Sequence, residues 1–434
     1  MAGPLYFFPD QRIIKITLWE VNMTKEEKSW ILQDFGNSAY SITITTAILP
    51  LFFKSVAASH LADATSTAYW GYANSLATLL IALLAPILGT IADFKGVKKK
   101  LFAAFTLVAI ISSALLSTVG EGQWVYALVI YVVTAVAFNG SNIYYDSFLT
   151  DVTTNERMDD ISSRGFGFGY LGGTIPFIIS LGIILSAERL GITVTLATQM
   201  AFLITAVWWM IFTIPMLKNV KQKYYIEGKP SKIRESFSAL AETARDIVKN
   251  KMVLYFMIAY FFYIDGVHTV ITMATAYGVD VGVDSDRLLI ILVVIQLVAF
   301  PFALLYGKLA KVFGARKMIM TGILTYTFIS IYGFFLKTEL DFWILAMLVA
   351  SAQGGIQALS RSYFGKLIPK NKSAEYFSIF NIFGKVSSIF GPLLMGIVIS
   401  LTGETRYGIL SLIVLFILGA YFFLKIKDEK VAES

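Results

Sequence analysis

The stretch Gly89-Thr90-Ile91-Ala92-Asp93-Phe94-Lys95-Gly96-Val97-Lys98-Lys99 returns as Gly307-Lys308-Leu309-Ala310-Lys311-Val312-Phe313-Gly314-Ala315-Arg316-Lys317, and each copy sits between two long apolar segments. Gly89, Asp93 and Gly96 are matched by Gly307, Lys311 and Gly314 at one constant offset, so the second copy reads as half of a duplicated unit. Parallel repeats with a substrate site between them are a transporter design. The expectation is a membrane transporter of two repeated halves, with the acid of the first loop exchanged for a base in the second.

Composition agrees. The 434 residues are 56% hydrophobic, 15% aromatic and 15% charged, with a mean hydropathy of +0.69, against roughly 45–50% apolar and 25% charged for soluble domains. A soluble protein is excluded. Without cysteine there is no disulfide framework or thiolate site, and two histidines, His60 and His268, are too few for an imidazole-rich metal site. No cofactor is expected. The net charge of +7 does not point to nucleic acid, because the basic residues gather in loops between apolar runs.

Runs long enough to cross about 30 Å of hydrocarbon lie near residues 30–54, 68–93, 99–119, 124–148, 165–186, 193–217, 252–278, 287–307, 318–336, 342–364, 375–401 and 407–424. The organisation read from them is a tail at 1–29, six helices at 30–217, a polar connector at 218–251, six helices at 252–424 and a tail at 425–434. With both termini inside, the outer loops carry only Lys54, Arg189, Arg287, Lys337 and Arg406. Lys385 alone lies mid-span, and every other Lys and Arg is inside. That asymmetry places both termini and the connector in the cytoplasm. Pro9, Asp10, Arg12, Lys15 and Glu20 break any apolar core that a cleaved signal would need, and Met23 offers an alternative start. In the connector, Ile233, Phe237, Leu240, Ile247 and Val248 recur at helical spacing, which predicts an amphipathic helix on the inner face.

The paired loops resemble the signature between the second and third helices of the major facilitator superfamily. The match holds at Gly89, Asp93, Gly96, Lys98 and Lys99, and departs at Phe94, where that family usually has Arg, and at Lys311 in place of Asp. Within the superfamily, three motifs resemble the autophagy-related vacuolar effluxer family and its bacterial relatives. They are Trp30-Ile31-Leu32-Gln33-Asp34-Phe35-Gly36-Asn37-Ser38-Ala39-Tyr40-Ser41, Ser162-Ser163-Arg164-Gly165-Phe166-Gly167-Phe168-Gly169-Tyr170-Leu171-Gly172-Gly173 and Tyr263-Ile264-Asp265-Gly266-Val267-His268-Thr269. The resemblance runs from about Lys25 to about Lys425. It implies an all-α integral membrane protein with twelve transmembrane helices in two six-helix bundles, the major facilitator fold. It implies a permease, with amino-acid efflux as in the eukaryotic branch, and leaves the bacterial substrate open. Short loops and phenylalanine-rich helices suggest a bacterial inner (plasma) membrane.

In a fold of this family the first and fourth helices of each half line a central cavity. Their polar residues do form stripes: Asp34, Asn37 and Ser41; Asn139, Asn142 and Asp146; Asp265, His268 and Thr272; and Gln353, Gln357 and Arg361. An ionisable residue near the bilayer centre costs about 2.5–3.5 kcal/mol on insertion scales, so such residues face an interior or water. Asp34, Asn37, Asn139, Asn142, Asp265, His268, Gln353 and Gln357 are therefore the expected substrate- or proton-binding set. Asp265 heads it, with a tie to a neighbouring helix or to Lys385 as its structural alternative. Asp146 and Arg361 lie toward the cytoplasmic ends, where a gate pair is expected. In the family fold each signature loop meets the start of the fifth or eleventh helix of the other half. Asp93 should then face the basic loop of Lys366, Lys370 and Lys372, aided by the positive N-terminal dipole of the eleventh helix, and Lys311 the acidic loop of Asp159 and Asp160, forming a latch.

Gly167, Gly169 and Gly172 fit a dinucleotide-binding spacing but lie inside an apolar helix with no preceding strand, so Gly165, Gly169 and Gly173 read instead as a small-residue packing face. No P-loop, His-Glu-x-x-His or Gly-x-Ser-x-Gly string occurs, and no enzyme is expected. The reading is a monomeric secondary transporter of a small polar or zwitterionic solute, amino-acid-like, working by alternating access among membrane lipids, with a proton as the candidate coupling ion and the direction of transport left open. A lipid or lysolipid carrier of the same fold and a non-transporting membrane sensor are the alternatives.

Overall fold

The computed structural model describes residues 23–228, 233–280 and 283–426. The tails at 1–22 and 427–434, and the side chains of Ile233, Phe237 and Leu240 in the connector stripe, lie outside the described residues.

Twelve helical spans cross the fold: Lys25–Ala57, Asp63–Ala92, Val97–Leu115, Trp124–Ser147, Met158–Leu185, Val194–Asn219, Lys251–Asp280, Ser285–Phe313, Ala315–Phe334, Glu339–Leu367, then Ser373–Ser387 continued by Phe390–Thr402, and Thr405–Leu424. Eleven of the spans are apolar enough to cross a membrane on composition alone. The ninth, Ala315–Phe334, carries hydroxyls, but Thr321, Thr325, Thr327 and Ser330 each donate to the carbonyl four residues earlier. Their polarity is satisfied inside the helix, which is how such residues enter hydrocarbon. The connector forms a helix at Ile233–Lys249, with Ile247 buried and Val248 exposed.

The six spans before the connector form one bundle and the six after it another. The fifth span packs on the eighth and the tenth, and the eleventh on the second and the fourth. Local chemistry sets the ends. Thr24 and Glu27 cap the first span reciprocally, at 3.2 and 2.9 Å, and Glu27 also receives Arg157 and Thr153, both at 2.8 Å, which ties the span to the loop after the fourth. Gly96 and Gly314, the second glycines of the repeated loops, adopt φ of +72° and +87°. A side chain would be strained at either position.

Two spans are irregular. In the first, π-helical turns at Ser41–Ala47 and Phe53–Ala57 flank Pro50, which has no amide to offer the Thr46 carbonyl. In the eleventh, Pro392 withholds an amide from Ser388. Ser387 and Ser388 also turn their hydroxyls onto the Gly384 and Lys385 carbonyls, at 3.0 and 2.7 Å. The helix breaks between Ser387 and Phe390.

The expected glycine face on the fifth span packs against the first. A Cβ at Gly169 would stand 2.8 Å from the Ser38 hydroxyl and one at Gly173 3.0 Å from the Ser38 carbonyl, while one at Gly172 would run into the Phe35 carbonyl oxygen. Gly182, on the same helix, meets nothing within 4 Å. Gly172→Ala is expected to destabilise the protein by about 1–3 kcal/mol through overpacking. Gly182→Ala should be neutral or stabilising by helix propensity. Thermal unfolding of the two variants in detergent checks this, and equal midpoints would contradict the packing.

Candidate functional site

Between the bundles lies a cavity of about 410 Å³, lined by residues of the first, fourth, fifth, seventh, eighth, tenth and eleventh spans. Its organising group is Arg361 on the tenth. The guanidinium donates to Asp146 at 3.0 Å, to the Ser162 hydroxyl at 3.0 Å and to the Ser162 carbonyl at 3.1 Å, and stands 3.7 Å from Asp34. Trp30, Tyr145 and Phe166 present rings to it with centroids 4.6, 5.5 and 4.4 Å away. The Trp30 and Tyr145 rings are stacked, and Trp30 donates its indole N–H to the Tyr145 carbonyl at 2.8 Å. Gly165 leaves room for this assembly: a Cβ there would stand 2.7 Å from Trp30 and 3.1 Å from Arg361. A planar, always-charged group held by carboxylates and π faces is what arginine supplies and lysine does not.

The cavity gathers most of the expected set. Asp34, Asn37, Asn139, Asn142, Asp146, His268, Gln353, Gln357 and Arg361 line it together with Ser41. Asp34 accepts from Tyr145 at 3.1 Å, Asn37 donates to Asn142 at 2.8 Å, and Gln357 donates to the Gln353 carbonyl at 3.0 Å. Asp265 is the exception. It is absent from the lining and fully buried, and its Oδ1 accepts the Gly391 amide at 3.0 Å. The seventh-span stripe is split because the eleventh span comes close enough, at a glycine, to cover Asp265 while leaving His268 in the cavity. Thr272 folds its hydroxyl onto the His268 carbonyl at 2.9 Å.

Sequence reasoning missed Lys385, Asn381, Gln296, Tyr145 and Tyr170, all of which line the cavity. Asn381 donates to Asp146 at 3.2 Å. Lys385 was marked only as the lone mid-span base and as a structural partner for Asp265. Among the described residues it has no acidic partner within ion-pair distance, in contrast to Arg361.

The polar bridges between the halves cluster at one face, that of the repeated loops, Lys98 to Lys100 and the connector; it is called the basic face below. One expected pairing is corrected there and the other is found. Asp93 does not meet the lysines of the opposite loop; its two oxygens accept the Ala374 and Glu375 amides, both at 2.9 Å, at the start of the eleventh span. The amides win because they are the unpaired donors of a helix N-terminus, with its positive dipole. Lys311 pairs with Asp160 at 3.2 Å, whereas Asp159 takes Lys366 at 2.6 Å and Ser362 at 2.6 Å. Lys98, matched as part of the signature's basic cluster, is completely buried. It donates to Asp151 at 2.9 Å and Ser373 at 2.7 Å, while Asp151 also accepts the Lys223 and Tyr224 amides. The first glycines of the repeat permit these approaches: a Cβ at Gly89 would stand 2.7 Å from Ser378, and one at Gly307 2.7 Å from Ser163.

Residues 60–433 match the family model described as vacuole effluxer Atg22 like. The chain is 51% identical over 409 residues to the MFS-type transporter YxiO of Bacillus subtilis, covering 94% of this chain and 96% of that one. It is 27% identical over 301 residues to autophagy-related protein 22 of Yarrowia lipolytica, covering 62% of this chain but only 50% of that longer protein. Among solved structures, the proton:xylose symporter XylE superposes with a TM-score of 0.70 at 11% identity, over 93% of this chain and 95% of that one. The Escherichia coli fucose:proton symporter FucP gives 0.71 at 15%, over 93% and 98%. At these identities the structural likeness shows the major facilitator fold.

If the Asp159–Lys366 pair helps hold the basic face shut, weakening it exposes residues beneath. The chain has no cysteine, so Ala358→Cys, at a fully buried position whose carbonyl accepts from Ser162, supplies a unique thiol. Asp159→Asn is expected to raise its labelling rate by an impermeant reagent about tenfold, the worth of a charge-assisted bond. Lys95→Gln, which loses an exposed pair with Glu227, should change it less than about fivefold. An unchanged rate in Asp159→Asn would remove the pair from the closure.

Proposed function

Because this chain belongs to the vacuole effluxer Atg22-like family of major facilitator transporters, we propose that it is a secondary transporter moving a small, carboxylate-bearing polar solute of the amino-acid kind by alternating access. The observation that carries the reading is Lys385, a half-buried ammonium facing the cavity with no acidic partner among the described residues. A charge held away from bulk water is stabilised by a counter-ion. Here the solute's carboxylate supplies it. Arg361 is already committed to Asp146, whereas Asp34, at the longer 3.7 Å from the guanidinium, is left to receive an ammonium group. The amides of Asn37, Asn139, Asn142, Gln296, Gln353 and Gln357 supply donors and acceptors for the rest of the solute. About 410 Å³ suits a ligand of that size.

A lipid or lysolipid is disfavoured by the same wall, since its headgroup would have to bring an acyl chain past a ring of amides. The gap beside Lys385 and Asn381, between the second, fourth and eleventh spans, holds only about 10 Å³, too little for a chain to leave sideways. A sensor is disfavoured by the two matched sets of closing contacts, which suit a cycle.

The basic face is proposed to be cytoplasmic in a bacterial plasma membrane, on the distribution of Lys and Arg. Labelling of Ala358→Cys from inside-out but not right-side-out vesicles tests this. For the solute, purified protein should be stabilised against heat by amino acids with a free carboxylate, and not by their methyl esters. Lys385→Gln should weaken that binding about tenfold or more, with Lys385→Arg intermediate. Equal binding of acid and ester, or full binding by Lys385→Gln, would exclude this role.

A further inference from the structure

Behind the cavity, in the second bundle, the eleventh span is broken between Ser387 and Phe390 and a buried carboxylate stands at the break. Asp265 is 0% exposed. Its Oδ1 accepts the Gly391 amide at 3.0 Å and faces the Thr269 hydroxyl at 3.5 Å, while its Oδ2, equally buried, has no partner. Gly391 is the second residue of the resumed helix Phe390–Thr402, and a Cβ there would collide with the Thr269 hydroxyl and stand 2.8 Å from Oδ1. The residue type is therefore required by the contact. A few residues earlier on the same strand of chain, Lys385 faces the solute cavity. One turn along the seventh span from Asp265, His268 does the same.

We propose that Asp265 is a proton-binding site set apart from the solute site, and that its proton biases the cycle through the break in the eleventh span. The proposal rests on the transport reading and deepens it by naming a coupling ion and its seat. An ionised carboxylate with one orphaned oxygen is the costly form in this enclosure. A proton on Oδ2 removes that charge and leaves Oδ1 free to keep the Gly391 amide. Deprotonation calls for water or a new donor at Oδ2, and the segment able to move to admit one is the break itself. Moving it displaces Lys385, so proton and carboxylated solute communicate through a short length of main chain and need not compete for one group. A metal cation fits poorly, since the oxygens at hand are one carboxylate and one hydroxyl and the site abuts a positive helix N-terminus. The titratable groups on the seventh span and the elements packed on it, apart from those at the membrane ends, are His268, Tyr260 and Tyr263 beside it, Lys385 on the eleventh, Arg361 on the tenth and Tyr326 on the ninth. Arg361 is taken by Asp146, and Tyr263 bonds Ser360 at 2.6 Å.

The state seen here, with the basic face shut, is the state that holds the proton. Acidification should favour it, and the preference should fade as pH rises. The full chain in lipid nanodiscs tests this by infrared spectroscopy across about pH 5 to 9. A protonated-carboxyl carbonyl band should titrate in the parent protein and be missing from Asp265→Asn. Spin labels spanning the basic face should report a shut fraction that changes by up to about tenfold per pH unit where that band titrates, and Asp265→Asn should lose this dependence. Should Asp265→Asn fail to fold, Asp265→Glu and Gly391→Ala are read instead, and each should move the midpoint of the band. An identical band and pH dependence in Asp265→Asn would overturn the proposal. So would an unmoved midpoint in the other two, or a band present at every pH. Both readouts are taken without solute, so they stand or fall independently of the solute's identity.

Discussion

A guanidinium cannot be left unpaired inside a membrane protein, and the rest of this structure is arranged around satisfying the one on Arg361. Its partners come from the first, fourth and fifth spans, all in the other bundle. The ion pair is therefore a cross-bundle contact as well as a cavity wall. Breaking such a pair by removing one partner costs several kcal/mol, about 3–5 when fully buried. Any motion that separates the bundles here must bring in water or a solute charge as replacement. That requirement couples what occupies the cavity to which face is open.

Toward the basic face the cross-bundle contacts are more numerous, and they are matched across the pseudo-repeat. Gly89 admits the start of the eleventh span against the second, as Gly307 admits the fifth against the eighth. The acid of the first loop meets a helix N-terminus, and the base of the second meets an aspartate. The sign change between the copies keeps both contacts attractive. Lys98 adds a further junction: through Asp151 and Ser373 it joins the first loop, the fourth–fifth loop, the connector and the eleventh span. Many modest bonds at a face that must open are consistent with a population bias of a few kcal/mol.

Fold and cavity were legible in the sequence to different depths. Twelve spans in two bundles followed from apolar runs and the repeated loop, because membrane insertion imposes period and length on every helix. The ninth span was readable by apolar length, though it is less apolar than the other eleven. The polar stripes pointed to the cavity because helical spacing fixes which residues share a face. The stripe argument failed at Asp265, since which neighbour covers a residue depends on a glycine more than a hundred positions away. It missed Tyr145 and Tyr170, which look like any interfacial aromatics until their rings are placed. It located both loops of the latch and the partner of Lys311, but gave Asp93 lysines where it takes main-chain amides, because a backbone amide has no letter in a sequence.

On the proposed function, the solute completes the charges of one cavity, and this exchange moves the two faces in opposition. The most direct measurement is of paired distances in the cysteine-free chain, with labels at Glu156→Cys and Asn371→Cys across the basic face and at Glu188→Cys and Asp284→Cys across the other. In bilayers the account predicts two populations at each face, with the basic face lengthening as the opposite face shortens when a carboxylate-bearing amino acid is added, and no such shift with its methyl ester. A single distance at each face, unmoved by the acid, or faces that open together, would contradict it.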